Sequence, residues 1–105
     1  MPRPVAAMAA GLAVAAGVAM ADDLAEGRRL FVEGTEPACA ICHSLADAGA
    51  EGEIGPSLDE LRPDAARVAR AVRGGVGVMP AFQETLSEDQ IAAIAAYVAR
   101  AAGGG

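Results

Sequence analysis

Apolar positions along this chain recur at helical spacing and are broken by Gly and Pro; no strand-like alternation, repeat or heptad seam stands out. The best-marked element is the last. Ser87-Glu88-Asp89-Gln90 reads as a capping box, with Leu86 and Ile91 placed to form a hydrophobic staple across it. Ile91, Ile94, Ala95 and Val98 then form an i, i+3, i+4, i+7 stripe, with Tyr97 beside it, before Gly103 to Gly105 stops the helix. A first helix is predicted from about Leu24 to Glu33, capped by Asp22 or Asp23 and ended by Gly34. A second is predicted from about Pro63 to Arg73, with Val68 and Val72 on one face and Gly74-Gly75 closing it. Ser57 to Glu60 fits another capping box, which predicts a short helical turn beginning at Leu58. Residues 34 to 56 are polar, acidic and broken by Gly49, Gly52, Gly55 and Pro56, and are expected to be loop.

The beginning of the chain follows a different pattern. Arg3 is followed by an uncharged Ala, Val, Leu, Met and Gly run from Val5 to Val18, then by the small-x-small site Ala19-Met20-Ala21. This is the form of a secretory signal peptide, with cleavage expected after Ala21. The run is shorter than the ~20 residues of a membrane-spanning helix. The expected product is one domain, residues 22 to 105, periplasmic and not membrane-spanning once processed. A domain of that size buries a thin core and usually needs a staple. With Phe31, Phe82 and Tyr97 as its aromatics and no tryptophan, it lacks large apolar bodies of its own.

Charge narrows the partners. All eight basic residues are arginines, against fourteen acids. No basic footprint suits a nucleic acid, and any electrostatic steering would favour a partner with a basic docking face.

The chemistry lies in Cys39-Ala40-Ile41-Cys42-His43, which holds both cysteines and the only histidine. C-x-x-C-H is the attachment pattern of c-type haem. The thiols of Cys39 and Cys42 add to the haem vinyl groups, and His43 is carried beneath the ring to bind iron. The second axial position follows by elimination. There is no second histidine, spare cysteine or lysine, and cleavage would remove Met1, Met8 and Met20. Met79 remains, in a Gly-rich loop stiffened by Pro80. Ordinary core filling is the competing role for it. His/Met ligation gives a raised potential and a closed iron, which suits electron transfer. A zinc site lacks a fourth soft ligand, and a thioredoxin-like dithiol lacks its βαβ setting.

Five features in order resemble the class I c-type cytochromes in their small bacterial form: Gly27-x-x-x-Phe31, Cys39 to His43, Gly55-Pro56-Ser57-Leu58, Met79-Pro80-Ala81-Phe82 and Ile94-Ala95-Ala96-Tyr97-Val98. The resemblance implies an all-α cytochrome c fold, with three to four helices wrapped around one covalently bound haem c and its iron. It implies that the N- and C-terminal helices cross near a right angle, with Gly27 and Phe31 meeting Ile94 and Tyr97. It gives the Pro56 carbonyl the role of accepting the His43 ring N–H. The tryptophan that many relatives place near a haem propionate is absent, and Arg73 is the expected substitute, with a solvated arginine as the alternative. The lysine ring that mitochondrial relatives use for docking is also missing. The function implied is that of a non-enzymatic electron carrier between redox proteins, a donor dehydrogenase and an acceptor oxidase or reductase. A haem subunit of a larger periplasmic dehydrogenase, and a gas-binding sensor with an open sixth position, are the alternatives.

Overall fold

The computed structural model describes residues 23–104. The expected signal peptide and its cleavage site lie outside them. Five helices account for most of the described chain: α1 (residues 23–33), α2 (Cys39–Cys42), α3 (Leu58–Leu61), α4 (Ala65–Gly74) and α5 (Glu88–Ala102).

α5 forms because both halves of its cap close. Ser87 Oγ accepts from the Gln90 N–H at 3.1 Å, and the Gln90 side chain accepts from the Ser87 N–H at 2.8 Å. Its apolar stripe is buried: Ile91, Ile94, Ala95 and Val98 are each at most 2% exposed. Leu86 and Ile91 are both buried, as a staple requires. Gly103, with φ +79°, ends the helix. α4 starts two residues later than the apolar pattern suggests. The carboxylate of Asp64 accepts from the Arg67 N–H at 2.8 Å, and this cap fixes the start at Ala65. α3 is capped by Ser57 and closes on Arg62 in the left-handed region, φ +50°, where the Arg62 guanidinium donates to the Gly103 carbonyl at 3.1 Å.

The segment 34 to 56 is more ordered than its composition suggests. Besides α2 it holds β1 (Ser44–Leu45) and β2 (Ala50–Glu51), an antiparallel pair joined through a 3₁₀ turn at Ala46–Ala48 and Gly49, φ +64°. Strands of two residues are too short to show a period in sequence. The Asp59 carboxylate, accepting from the Ala46 N–H at 2.8 Å, ties this hairpin to α3.

α1 rests directly on α5. A Cβ at Gly27 would collide with the Ala93 carbonyl and come within 2.6 Å of Tyr97 Cβ, so only glycine allows this approach. Four residues on, Phe31 meets Tyr97 with ring centroids 6.2 Å apart and planes at 59°. The Tyr97 hydroxyl donates to Asp47 Oδ2 and so links α5 to the hairpin. Leu30, Phe31, Leu45, Leu58, Val68, Val72, Phe82, Ile91, Ile94 and Val98 form one core. Among the described residues, no helix is long and apolar enough to cross a membrane.

Candidate functional site

α2 is a single turn that carries both cysteines and delivers His43 at its end, where the His43 N–H donates to the Cys39 carbonyl at 3.0 Å. The ring of His43 is fixed by two features of the segment after β2. Its Nδ1 lies 2.8 Å from the Pro56 carbonyl oxygen. A carbonyl can only accept, so Nδ1 carries the proton and Nε2 keeps the lone pair that a metal needs. The ring also lies against the backbone of Gly55, where a Cβ would come within 2.6 Å of Cε1 and 2.9 Å of Nδ1. Gly55 is in turn held by its N–H on the Cys42 carbonyl at 2.7 Å. In the sequence Gly55 figures as loop punctuation and as the first residue of the Gly55-Pro56-Ser57-Leu58 resemblance; its contact with the imidazole is made across twelve residues and has no local signal.

Met79 is carried by the loop between α4 and α5. Val76 and Met79 exchange backbone hydrogen bonds of 2.8 and 3.1 Å across a tight turn that needs Gly77 at φ +56°. Gly75 has no room for a Cβ, which would meet the Met79 carbonyl at 2.7 Å. The Phe82 N–H donates to the Val72 carbonyl at 2.8 Å, so the loop is pinned to the end of α4. Met79 is partly buried against the core.

Two cavities, of about 80 and 280 Å³, share Cys39, His43 and Met79 in their walls. The smaller continues between Phe31, Leu58, Pro63, Arg67, Val68, Ala71, Ile94 and Val98. The larger opens between Pro37, Ala38, Cys42, Ile54, Gly55, Val78, Pro80 and Phe82. Together they make an apolar slot with two thiols, an imidazole and a thioether on its walls. Neither cysteine is in a disulfide. Burial pushes the Cys39 thiol up, and its contact with Thr35 Oγ1 at 3.8 Å offsets this in part.

Arg73 lies elsewhere. Its guanidinium makes a paired contact with the Glu88 carboxylate at 2.7 and 3.1 Å, at the start of α5, and it lines neither cavity. That contact holds the Glu88 carboxyl below the usual carboxylate range. The reason is helical phase. Arg73 is six residues beyond Arg67, which turns it roughly 120° away from the face that Arg67 and Ala71 present to the slot.

A family model described as cytochrome c oxidase, cbb3-type, subunit III matches residues 22–98. The crystal structure of the c-type cytochrome SorU from Sinorhizobium meliloti is 57% identical in sequence and superposes with a TM-score of 0.75, over 78% of this chain and 93% of that one. Cytochrome c6 of Tetradesmus obliquus is 37% identical over 72% of this chain and 88% of its own length. Cytochrome c-551 of Halorhodospira halochloris is 30% identical over 70% of this chain and 94% of its own length. The chain belongs to the small class I c-type cytochromes. The cytochrome therefore carries a covalently bound haem c with its iron and is a monohaem electron-transfer protein. The slot suits that group: its walls are apolar, both thiols reach it, and the Pro56 carbonyl leaves the coordinating nitrogen of His43 free.

Proposed function

We propose that this cytochrome is an exported, periplasmic carrier that passes single electrons between redox proteins, its haem held by thioethers at Cys39 and Cys42 and between His43 and Met79. The observation that carries this reading is the shared wall: Cys39, His43 and Met79 border both cavities, and the Pro56 carbonyl holds His43 in the tautomer that binds metal. The bound group supplies a one-electron Fe(III)/Fe(II) couple.

The remaining work is done by the chain. The Pro56 carbonyl orients the imidazole and raises its basicity as a ligand. Gly55 lets the ring come close against backbone where a Cβ would collide with it. The turn at Gly77 and the Phe82 anchor hold Met79 at the slot, where its thioether would bind the iron together with His43 and would keep outside ligands off it. That closure favours a carrier over a gas sensor. The phenyl of Phe31, the valines of α4 and the α5 stripe exclude water from the interior. At the mouth of the larger cavity, Ile54 is 69% and Val78 91% exposed, which leaves an apolar lip for a partner to cover.

Export is supported by the signal-peptide pattern of the first 21 residues. N-terminal sequencing of the mature protein should begin at Asp22, and a chain beginning at Met1 would refute export by cleavage. The ligand assignment is tested by Met79→Ala, which should abolish the sulfur-to-iron absorption of the oxidised protein and lower the midpoint potential. A second reading follows from the family description as an oxidase subunit: the domain passes electrons as the haem-bearing member of a larger oxidoreductase. Stable co-purification with a second polypeptide would select it.

A further inference from the structure

Three hydrogen bonds around His43 keep one offset along the chain. The Cys42 carbonyl accepts from the Gly55 N–H at 2.7 Å, the Pro56 carbonyl accepts from His43 Nδ1 at 2.8 Å, and the Asp59 carboxylate accepts from the Ala46 N–H at 2.8 Å. Each joins residues thirteen apart, so residues 42–46 and 55–59 are tied to each other in step. The imidazole bond sits between the other two. Besides the imidazole itself, Asp59 is the one side chain that makes any of the three.

The local structure explains why this third bond forms. Ala46 opens the 3₁₀ turn after β1, and Leu45 before it has no side-chain oxygen to cap that turn. The Ala46 N–H therefore needs an acceptor from outside the turn. Asp59 supplies one from the first turn of α3, where it is held by the buried Leu58 beside it and by the Ser57 cap. A carboxylate accepting an N–H makes a stronger bond than a neutral oxygen does. Before His43, the segment is backed by Gly52, where a Cβ would collide with the Ile41 carbonyl. After His43, the Asp59 bond ties it to α3. Glu60 shares the first turn of α3, and its side chain makes no hydrogen bond or ion pair among the described residues. Glu60 thus has the same favourable place in the helix dipole as Asp59 without the tie.

We propose that Asp59 is a positioning residue for His43: by clamping Ala46 to α3 it holds the two segments in the register that the His43–Pro56 bond requires. This rests on the reading of His43 as an iron ligand. The test uses matured, haem-bearing protein: wild type, Asp59→Ala, Asp59→Asn and Glu60→Gln. Covalent haem is first counted in each by the pyridine haemochrome assay; a wild type without it would remove the parent reading and this one together. Hydrogen–deuterium exchange is then followed by NMR in the reduced proteins, at the His43 ring N–H, the Gly55 N–H and the α5 amides of Ile94 and Val98, and the midpoint potential is measured. In Asp59→Ala the ring N–H and Gly55 N–H should exchange roughly three- to tenfold faster, the effect of losing one modest hydrogen bond, while Ile94 and Val98 keep their wild-type rates. Asp59→Asn retains an acceptor oxygen and Glu60→Gln leaves the clamp intact, so both should exchange as wild type. The potential should rise more in Asp59→Ala than in Asp59→Asn, because both lose the charge but only the first loosens the bond that makes the imidazole a stronger donor to ferric iron. Wild-type exchange at the ring N–H in Asp59→Ala would overturn the assignment, as would equal acceleration at Ile94 and Val98 or the same change in Glu60→Gln. Should Asp59→Ala mature without haem, haem content decides: full haem in Asp59→Asn and Glu60→Gln supports the clamp, and a loss in either overturns it.

Discussion

At the scale of single residues, this site depends on groups that have no chemistry of their own. Gly55 is one. A methyl there would sit 2.6 Å from His43 Cε1, against backbone that the Cys42 carbonyl holds in place. Gly55→Val should displace the imidazole from the Pro56 carbonyl. The expected result is a chain that matures with less covalent haem and melts lower, by an amount in the ~1–3 kcal/mol range of overpacked sites. A variant with full haem content and wild-type melting would show that the ring has room to move. The residues that bear reactive atoms stand out in the sequence, because thiol, imidazole and thioether are rare here, and Cys39, His43 and Met79 come to border both cavities. The contact of Gly55 with the imidazole is not legible in the sequence, because it crosses the loop. For Arg73 two roles were open, a haem-propionate partner and a solvated arginine; the phase of α4, set by the buried pair Val68 and Val72, turns it to Glu88 and away from both cavities.

At the scale of elements, the contact between α1 and α5 carries the fold. Gly27→Leu would force the helices apart at Ala93 and Tyr97 and should cost on the order of 3 kcal/mol or more, read as a large fall in melting temperature. Tyr97 adds a pH-dependent element. Its phenol is pushed well above the ordinary value of about 10, first by burial and then by its hydrogen bond and charge interaction with Asp47. A raised folded-state pKa on a group that ionises to an anion means the folded state keeps the proton more tightly than the unfolded one. The stability gained is therefore complete below pH ~10 and is lost as pH rises above that value. Tyr97→Phe should be less stable at neutral pH, by ~1–2 kcal/mol for one hydrogen bond to a carboxylate, and should show a shallower fall in stability above pH ~10. Equal alkaline slopes in the two proteins would remove Tyr97 as the cause. The helices α4 and α5 were legible from caps and apolar spacing. The hairpin of β1 and β2 was not, because its order comes from Asp59, Tyr97 and the turn at Gly49 rather than from any alternation within it.

At the scale of the whole molecule, charge is unevenly placed along the sequence. No arginine or lysine occurs between Arg29 and Arg62, or between Arg73 and Arg100, and these two stretches supply the mouth of the larger cavity. The exposed lip of Ile54 and Val78 is accompanied in sequence by Glu36, Glu51, Glu53 and Glu84. Electron exchange through this mouth should therefore favour cationic partners. Raising salt from about 10 to about 150 mM should slow oxidation of the reduced cytochrome by a cationic cobalt complex and speed it with anionic hexacyanoferrate(III). The same salt response for both oxidants would mean that transfer does not sense this charge. A cationic face on the partner is the corresponding expectation for proteins.

The proposed function depends above all on a covalently attached haem held between His43 and Met79. Its most direct measurement is the absorption spectrum of exported, matured protein, taken with a pyridine haemochrome assay and repeated on Met79→Ala. One thioether-linked haem per chain is expected, with a sulfur-to-iron band in the oxidised wild type that vanishes in Met79→Ala. A colourless protein with both thiols open to alkylation, or a band that survives in Met79→Ala, would contradict it.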